Sequence, residues 1–116
     1  MRLESLLGLI CILFSFPVNA QGIMHFWTGN DLLEALNGNV VDQIAAKKYV
    51  AGASDTLSSL QALGKLPRQI CTTTEVTDQQ VADVAKQWLV NHPEARHAVA
   101  ANLVHASMLT AFPCGK

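Results

Sequence analysis

Residues 92–114 read HPEARHAVAANLVHASMLTAFPC. The stretch opens on His92-Pro93, where one helix ends and the next begins with Pro93 in its first turn, a place that needs no backbone N–H. Ala95, Val99, Leu103, Ala106 and Leu109 then recur near one face, which predicts about five turns of helix. Pro113 stops that helix, and Cys114 follows at once. A helix that ends by delivering a cysteine asks for a second cysteine elsewhere, so the rest of the chain is read outward from this one.

The chain has 116 residues, half of them hydrophobic, and a formal net charge of −1. That length allows one small domain. Residues 1–20, MRLESLLGLICILFSFPVNA, combine Arg2, an apolar run from Leu6 to Phe16, and Val18 and Ala20 at the positions a signal peptidase reads. They are expected to form a secretory signal peptide, cleaved between Ala20 and Gln21. The apolar run is too short to span a bilayer as an anchor. Ile10 stands before Cys11 where a lipoprotein signal wants Gly or Ala, so Cys11 goes with the discarded segment. Residues 21–116 keep Cys71 and Cys114, and two cysteines in an oxidising compartment have one connectivity. For the loop that a Cys71–Cys114 bridge would close, the chain-entropy model gives about 4 kcal/mol, comparable to the whole net stability of a small domain. Two free thiols are the alternative.

Balanced charge, with no basic run and no aromatic-basic interleaving, argues against a nucleic-acid partner. No second membrane segment appears, so no membrane association is expected once the signal is removed.

Residues 21–27, QGIMHFW, read as extended or irregular. Thr28 with Asp31 makes a capping box for a short helix through LLEAL that ends at Asn37-Gly38, with Phe26 or Trp27 stapling back onto Leu32. A longer helix from about Val40 carries Val41, Ala45, Tyr49, Ala53, Leu57 and Leu60 on one stripe. Within it, Gly52 in Ala51-Gly52-Ala53 is expected where another helix approaches closely, because a helical glycine is otherwise a cost of up to about 1 kcal/mol. Gly64 stops this helix and Pro67 keeps the linker non-helical. Thr77 and Gln80 form a second capping box, and Val81, Val84, Ala85, Trp88 and Leu89 give an i, i+3, i+4, i+7, i+8 face. The fold class is therefore all-α: a small compact bundle of about four helices, with one disulfide and no strand pair.

The residue types that carry chemistry do not assemble into a site. His92, His97 and His105 are spaced by five and eight residues rather than the four of a helical metal pair. Glu94 and His97 suit a surface pair. Ser54, Ser58, Ser59 and Ser107 lack an elbow or a Ser-x-x-Lys context, and Asp55, Asp78 and Asp83 read as caps and solvated faces. No catalytic residue, cofactor or metal is expected, which favours binding over catalysis.

Several fragments in order carry a resemblance: TGNDLL at Thr28, YVAGASD at Tyr49, Cys71, VTDQQVADVAKQWL, HPEARH and the terminal AFPC. Together they resemble the Rap/Tai family of type VI secretion immunity proteins over nearly all of residues 21–116. The resemblance implies a periplasmic α-helical protein that occludes the Cys-His cleft of a secreted peptidoglycan amidase. It also implies that some members act as dimers. Cys71 and Cys114 would form its bridge, and Gly52 and Pro93 would be architectural. Many members carry a further cysteine pair, after the LL of the first helix and before the Gly-Tyr-like step. Here those places read LLEAL and AAKKYV, and the frequent Cys-Ile-Pro is Cys71-Thr72-Thr73.

The function expected is therefore a periplasmic immunity protein against a type VI amidase effector. The alternative is a general periplasmic helical protein of the same fold that binds another envelope component. A small thiol or metal hydrolase is a third reading, which two reactive thiols would revive. Loops on rigid scaffolds carry most recognition, so the partner-binding segment is placed at Gly64–Glu75, with Lys65, Arg68, Gln69, Thr73 and Glu75 as its candidate contacts. A homodimer is expected through surplus apolar surface at Trp88 and the Ala-rich last helix.

Overall fold

The structure, a computed structural model, describes residues 26–115. The expected signal peptide, its cleavage point between Ala20 and Gln21, and the start of the extended stretch lie outside the described residues. Four α-helices follow in order: α1 (Gly29–Leu36), α2 (Val40–Ala62), α3 (Asp78–Asn91) and α4 (Ala100–Ala111), with a 3-10 turn at Pro93–Ala95. The described residues contain no strand, only isolated bridges between Thr28 and Val99 and between Ile70 and Pro113.

The helix starts are local and follow the sequence. Thr28 accepts from the Asp31 backbone N–H, and the Asp31 carboxylate accepts from the Thr28 backbone N–H at 2.8 Å. Thr77 and Gln80 repeat the reciprocal arrangement at α3, so two of the orphan donors at each helix start are satisfied from within four residues. Asn39 caps α2 through the Asp42 N–H. At the other end of α2, Gly64 takes φ 69°. Its N–H reaches the Gln61 carbonyl, and the Lys65 N–H reaches that of Leu60 at 2.8 Å. This is a Schellman stop, which needs the left-handed backbone that glycine adopts freely.

The predicted five-turn last helix is instead broken. A 3-10 turn, then residues 96–99, precede a helix that starts only at Ala100. The reason is that this backbone is used by α1. Gly29 and Asn30 donate their N–H groups to the carbonyls of Ala98 and Arg96, both at 3.0 Å, and Ala100 donates to the Trp27 carbonyl at 2.7 Å. The N-termini of α1 and α4 thus meet through shared hydrogen bonds, and the Ala100 N–H, which a continuous helix would turn on the Arg96 carbonyl, is committed to Trp27 instead. Arg96 fills a second role: its Nε donates to the Leu89 carbonyl at 2.7 Å and its Nη2 to that of Val90, capping the end of α3 with a cation.

The close approach expected at Gly52 occurs at Gly29 instead. A side chain at Gly52 would meet nothing within 4 Å, whereas one at Gly29 would strike Leu103 and come within 3.0 Å of the Arg96 backbone. The buried lines are also displaced from those read in the sequence. On α2 they fall on Ala46 and Val50, with Tyr49, Ala53 and Leu57 packed beside them, while Val41 is 74 % exposed and Ala45 is exposed. On α4 they fall on Ala100, Leu103, Val104, Ser107 and Met108, and Val99 lies outside the helix. On α3 the expected face holds, with Ala82 buried as well and Val84 and Trp88 half-buried. Leu32, Leu89, Met108, Val50 and Val104 form the centre of the core.

Phe26 is exposed, whereas Trp27 packs against the core cluster that contains Leu32 and stacks on Tyr49 at 5.2 Å between ring centroids. Burial holds the Tyr49 hydroxyl above its ordinary pKa of 10.0, opposed in part by a hydrogen bond from the Ala101 backbone. That bond gives an N–H at the start of α4 an acceptor, which the side chain of its N-cap, Val99, does not supply. Glu94 and His97 do not pair; the ion pair seen among the described residues is Lys48 with Asp78 at 3.0 Å. No described helix is long and apolar enough to cross a membrane.

Candidate loop site at the disulfide

The connection from α2 to α3, residues 63–77, is held at three points. Its start is the Schellman stop at Gly64, and its end is the Thr77 capping box. Its middle is fastened to the chain end by the Cys71–Cys114 disulfide, with Cα atoms 4.8 Å apart. The backbone pairs there too: Cys71 N–H donates to the Phe112 carbonyl at 2.8 Å, and Cys114 N–H to that of Gln69 at 3.1 Å. Ile70, between them, is buried.

Gln61, in the last turn of α2, completes the middle anchor. Its Oε1 accepts from the N–H groups of Gln69 and Ile70 at 2.8 and 2.9 Å, and its Nε2 donates to the Ile70 carbonyl at 3.1 Å. One side chain therefore satisfies three backbone groups of an irregular segment. Sequence reasoning missed Gln61, because a glutamine near a helix end matches no motif and its partners lie eight and nine residues on.

Two short stretches present side chains between these anchors. Residues 65–68 carry Lys65 and Arg68, and residues 72–75 carry Thr73 and Glu75; all four side chains are exposed, as is Gln69. Arg68 lines an open cleft of about 420 Å³ with Ser58, Gln61, Ile70, Cys71 and Thr72. Thr73 borders a smaller one of about 90 Å³ against Ser54, Asp55, Ser58 and Asp78. Lys65 and Glu75 line neither cleft. Among the described residues no group of His, Cys, Asp or Glu is placed to hold a metal. His92 is engaged otherwise: its Nδ1 lies 2.7 Å from the Trp88 carbonyl and its ring stacks on the indole at 3.9 Å.

Cys114, which the disulfide fastens to the connection, also closes a family signature. A model of the Rap1a immunity proteins matches residues 28–114, from the first capping box to Cys114. The chain belongs to the Rap1a immunity protein family. A comparison with curated proteins finds no match. Family membership marks this Rap1a-type chain as an immunity protein, whose partner is another protein. The matched span contains all four helices, Gln61 and the whole anchored connection.

Proposed function

We propose that this Rap1a-family chain is a periplasmic immunity protein that occludes a type VI secreted peptidoglycan amidase, and that it does so with the anchored segment Gly64–Glu75. The observation that carries the reading is the triple fastening of that segment by Gly64, by Gln61 with the disulfide, and by Thr77. An inhibitor that blocks a cleft gains affinity when its inserted loop is ordered beforehand, because less conformational entropy is lost on binding. Arg68, Lys65, Thr73 and Glu75 are the proposed contacts, with Gln69 held between them. The chain acts as an inhibitor and turns over no substrate.

The same reading makes residues 1–20 a signal peptide, cut between Ala20 and Gln21, and residues 21–116 the immunity domain of the periplasm. A homodimer belongs to it as well. Trp88 is half-buried beside an open, mainly apolar groove of about 230 Å³ between α3 and α4, which a second copy would cover. Sedimentation of residues 21–116 at micromolar concentration is expected to show a dimer that Trp88→Glu dissociates; a monomer at all concentrations would remove it.

The experiment for the main reading is titration of disulfide-bonded 21–116 into peptidoglycan digestion by an amidase effector of its own species. Stoichiometric inhibition, weakened at least tenfold by Arg68→Glu, is expected. No inhibition of any such amidase would favour a general envelope-binding protein of the same fold.

A further inference from the structure

A second surface lies at the opposite end of α2 from the loop. From Ile44 to Ala62 the helix rises about 27 Å, so the two places are separate. Val40, Val41 and Ile44 stand 72, 74 and 51 % exposed on the first turns of α2. Single exposed apolar residues are ordinary, and three together on one short stretch make a candidate contact surface.

Val40 and Ile44, with Val41 outside it, border a groove rather than a flat face. Val40, Ile44 and Lys47 on α2 lie at helical spacing opposite Ala82 and Lys86 on α3, with Leu36 below, around a space of about 190 Å³. The helices run antiparallel, since Lys48 bonds Asp78 while earlier residues of α2 face later residues of α3. Lys47 and Lys86 therefore sit towards opposite ends of the groove. Both are half-buried, so their aliphatic stems form its walls. Neither ammonium has an ion-pair partner among the described residues. The one carboxylate on the lining, Asp83, already accepts from Gln79 at 2.8 Å.

Charge decides between occupants. A second copy docked groove to groove would set lysines against lysines, which opposes association. A flat anionic bilayer would meet the exposed Val40 and Val41 but leave the concave floor unfilled. An apolar helical stripe flanked by carboxylates fills the floor and meets both cations. We propose that the α2–α3 groove is a docking site for an acidic amphipathic segment of a protein partner, separate from the loop and independent of its role.

The test uses residues 21–116 with the disulfide intact and two synthetic helical peptides. One carries a leucine stripe flanked by glutamates, the other the same stripe flanked by lysines. Backbone amide shifts are followed by NMR. The glutamate peptide is expected to shift amides of 40–47 and 79–86 saturably, at least tenfold more tightly than the lysine peptide. Lys47→Glu with Lys86→Glu should reverse that order, and Ile44→Asp should abolish binding of both, with thermal unfolding confirming that each variant folds. Equal binding of the two peptides, shifts centred elsewhere, no binding, or an unreversed order would each overturn the proposal. So would a concentration-dependent dimer that Ile44→Asp alone dissociates, or binding to anionic vesicles that occupies the same amides more tightly than the peptide.

Discussion

Two glycines in this chain look alike in sequence and differ in what surrounds them. Gly29 lies where α1 crosses the 96–99 turn and Leu103, and a methyl group there has no room. Gly52 faces open space on α2. Gly29→Ala is therefore expected to destabilise the protein by about 1–3 kcal/mol, the usual cost of overpacking. Gly52→Ala should stabilise it by about 0.5–1 kcal/mol through helix propensity. Urea unfolding of both variants measures the contrast, and equal effects would contradict the packing described. Sequence reading put the close contact at Gly52 because small neighbours, Ala51 and Ala53, flank it. Which helix approaches a glycine is a tertiary fact, and local composition does not contain it.

At the scale of elements, the helix ends were legible and the buried faces only partly so. Thr28–Asp31 and Thr77–Gln80 are interactions within four residues, so the sequence shows them directly. The break at residues 96–99 goes with hydrogen bonds exchanged with Trp27, Gly29 and Asn30, more than sixty positions earlier in the chain, and no periodicity signals it. Once α4 begins at Ala100 rather than at Pro93, its inward face turns to Ala100, Val104 and Ser107. Tyr49 ties α2 to this junction, stacking on Trp27 and accepting from Ala101. It is the chain's single tyrosine, so its phenolate absorbance reports one group. Its folded pKa is raised above 10.0, so above that pH the unfolded chain releases the proton first. The stabilisation is complete below about pH 10 and is lost as pH rises through the folded value. Unfolding free energy should fall with pH in that alkaline window, and Tyr49→Phe should flatten the slope. A wild-type slope unchanged in Tyr49→Phe would contradict the burial described for the ring.

The molecule as a whole is a small core made durable by one covalent link. The Cys71–Cys114 pairing was legible from the cysteine count and the expected oxidising compartment, and the structure bonds the two across 43 residues. Replacing both by serine is expected to cost about 4 kcal/mol by denaturant unfolding. A loss below about 1 kcal/mol would mean that the Gln61 anchor and the backbone pairing suffice alone. The candidate loop was legible as an exposed connector, because Gly64, Pro67 and Cys71 delimit it. Its rigidity was not, since that rests on Gln61 and on the carbonyls of Phe112 and Gln69. The Rap1a membership gives the protein a protein partner, and the anchored loop is the place proposed for meeting it.

The measurement that bears most directly on that claim compares three forms of residues 21–116 in one amidase inhibition assay: wild type, Arg68→Glu and Gln61→Ala. The account predicts stoichiometric inhibition by the wild type and a loss of at least tenfold in Arg68→Glu through the lost contact. Gln61→Ala should be weaker too, through a loop no longer held in advance. Full inhibition by all three folded proteins would contradict the loop as the blocking element and place the contact elsewhere on the bundle.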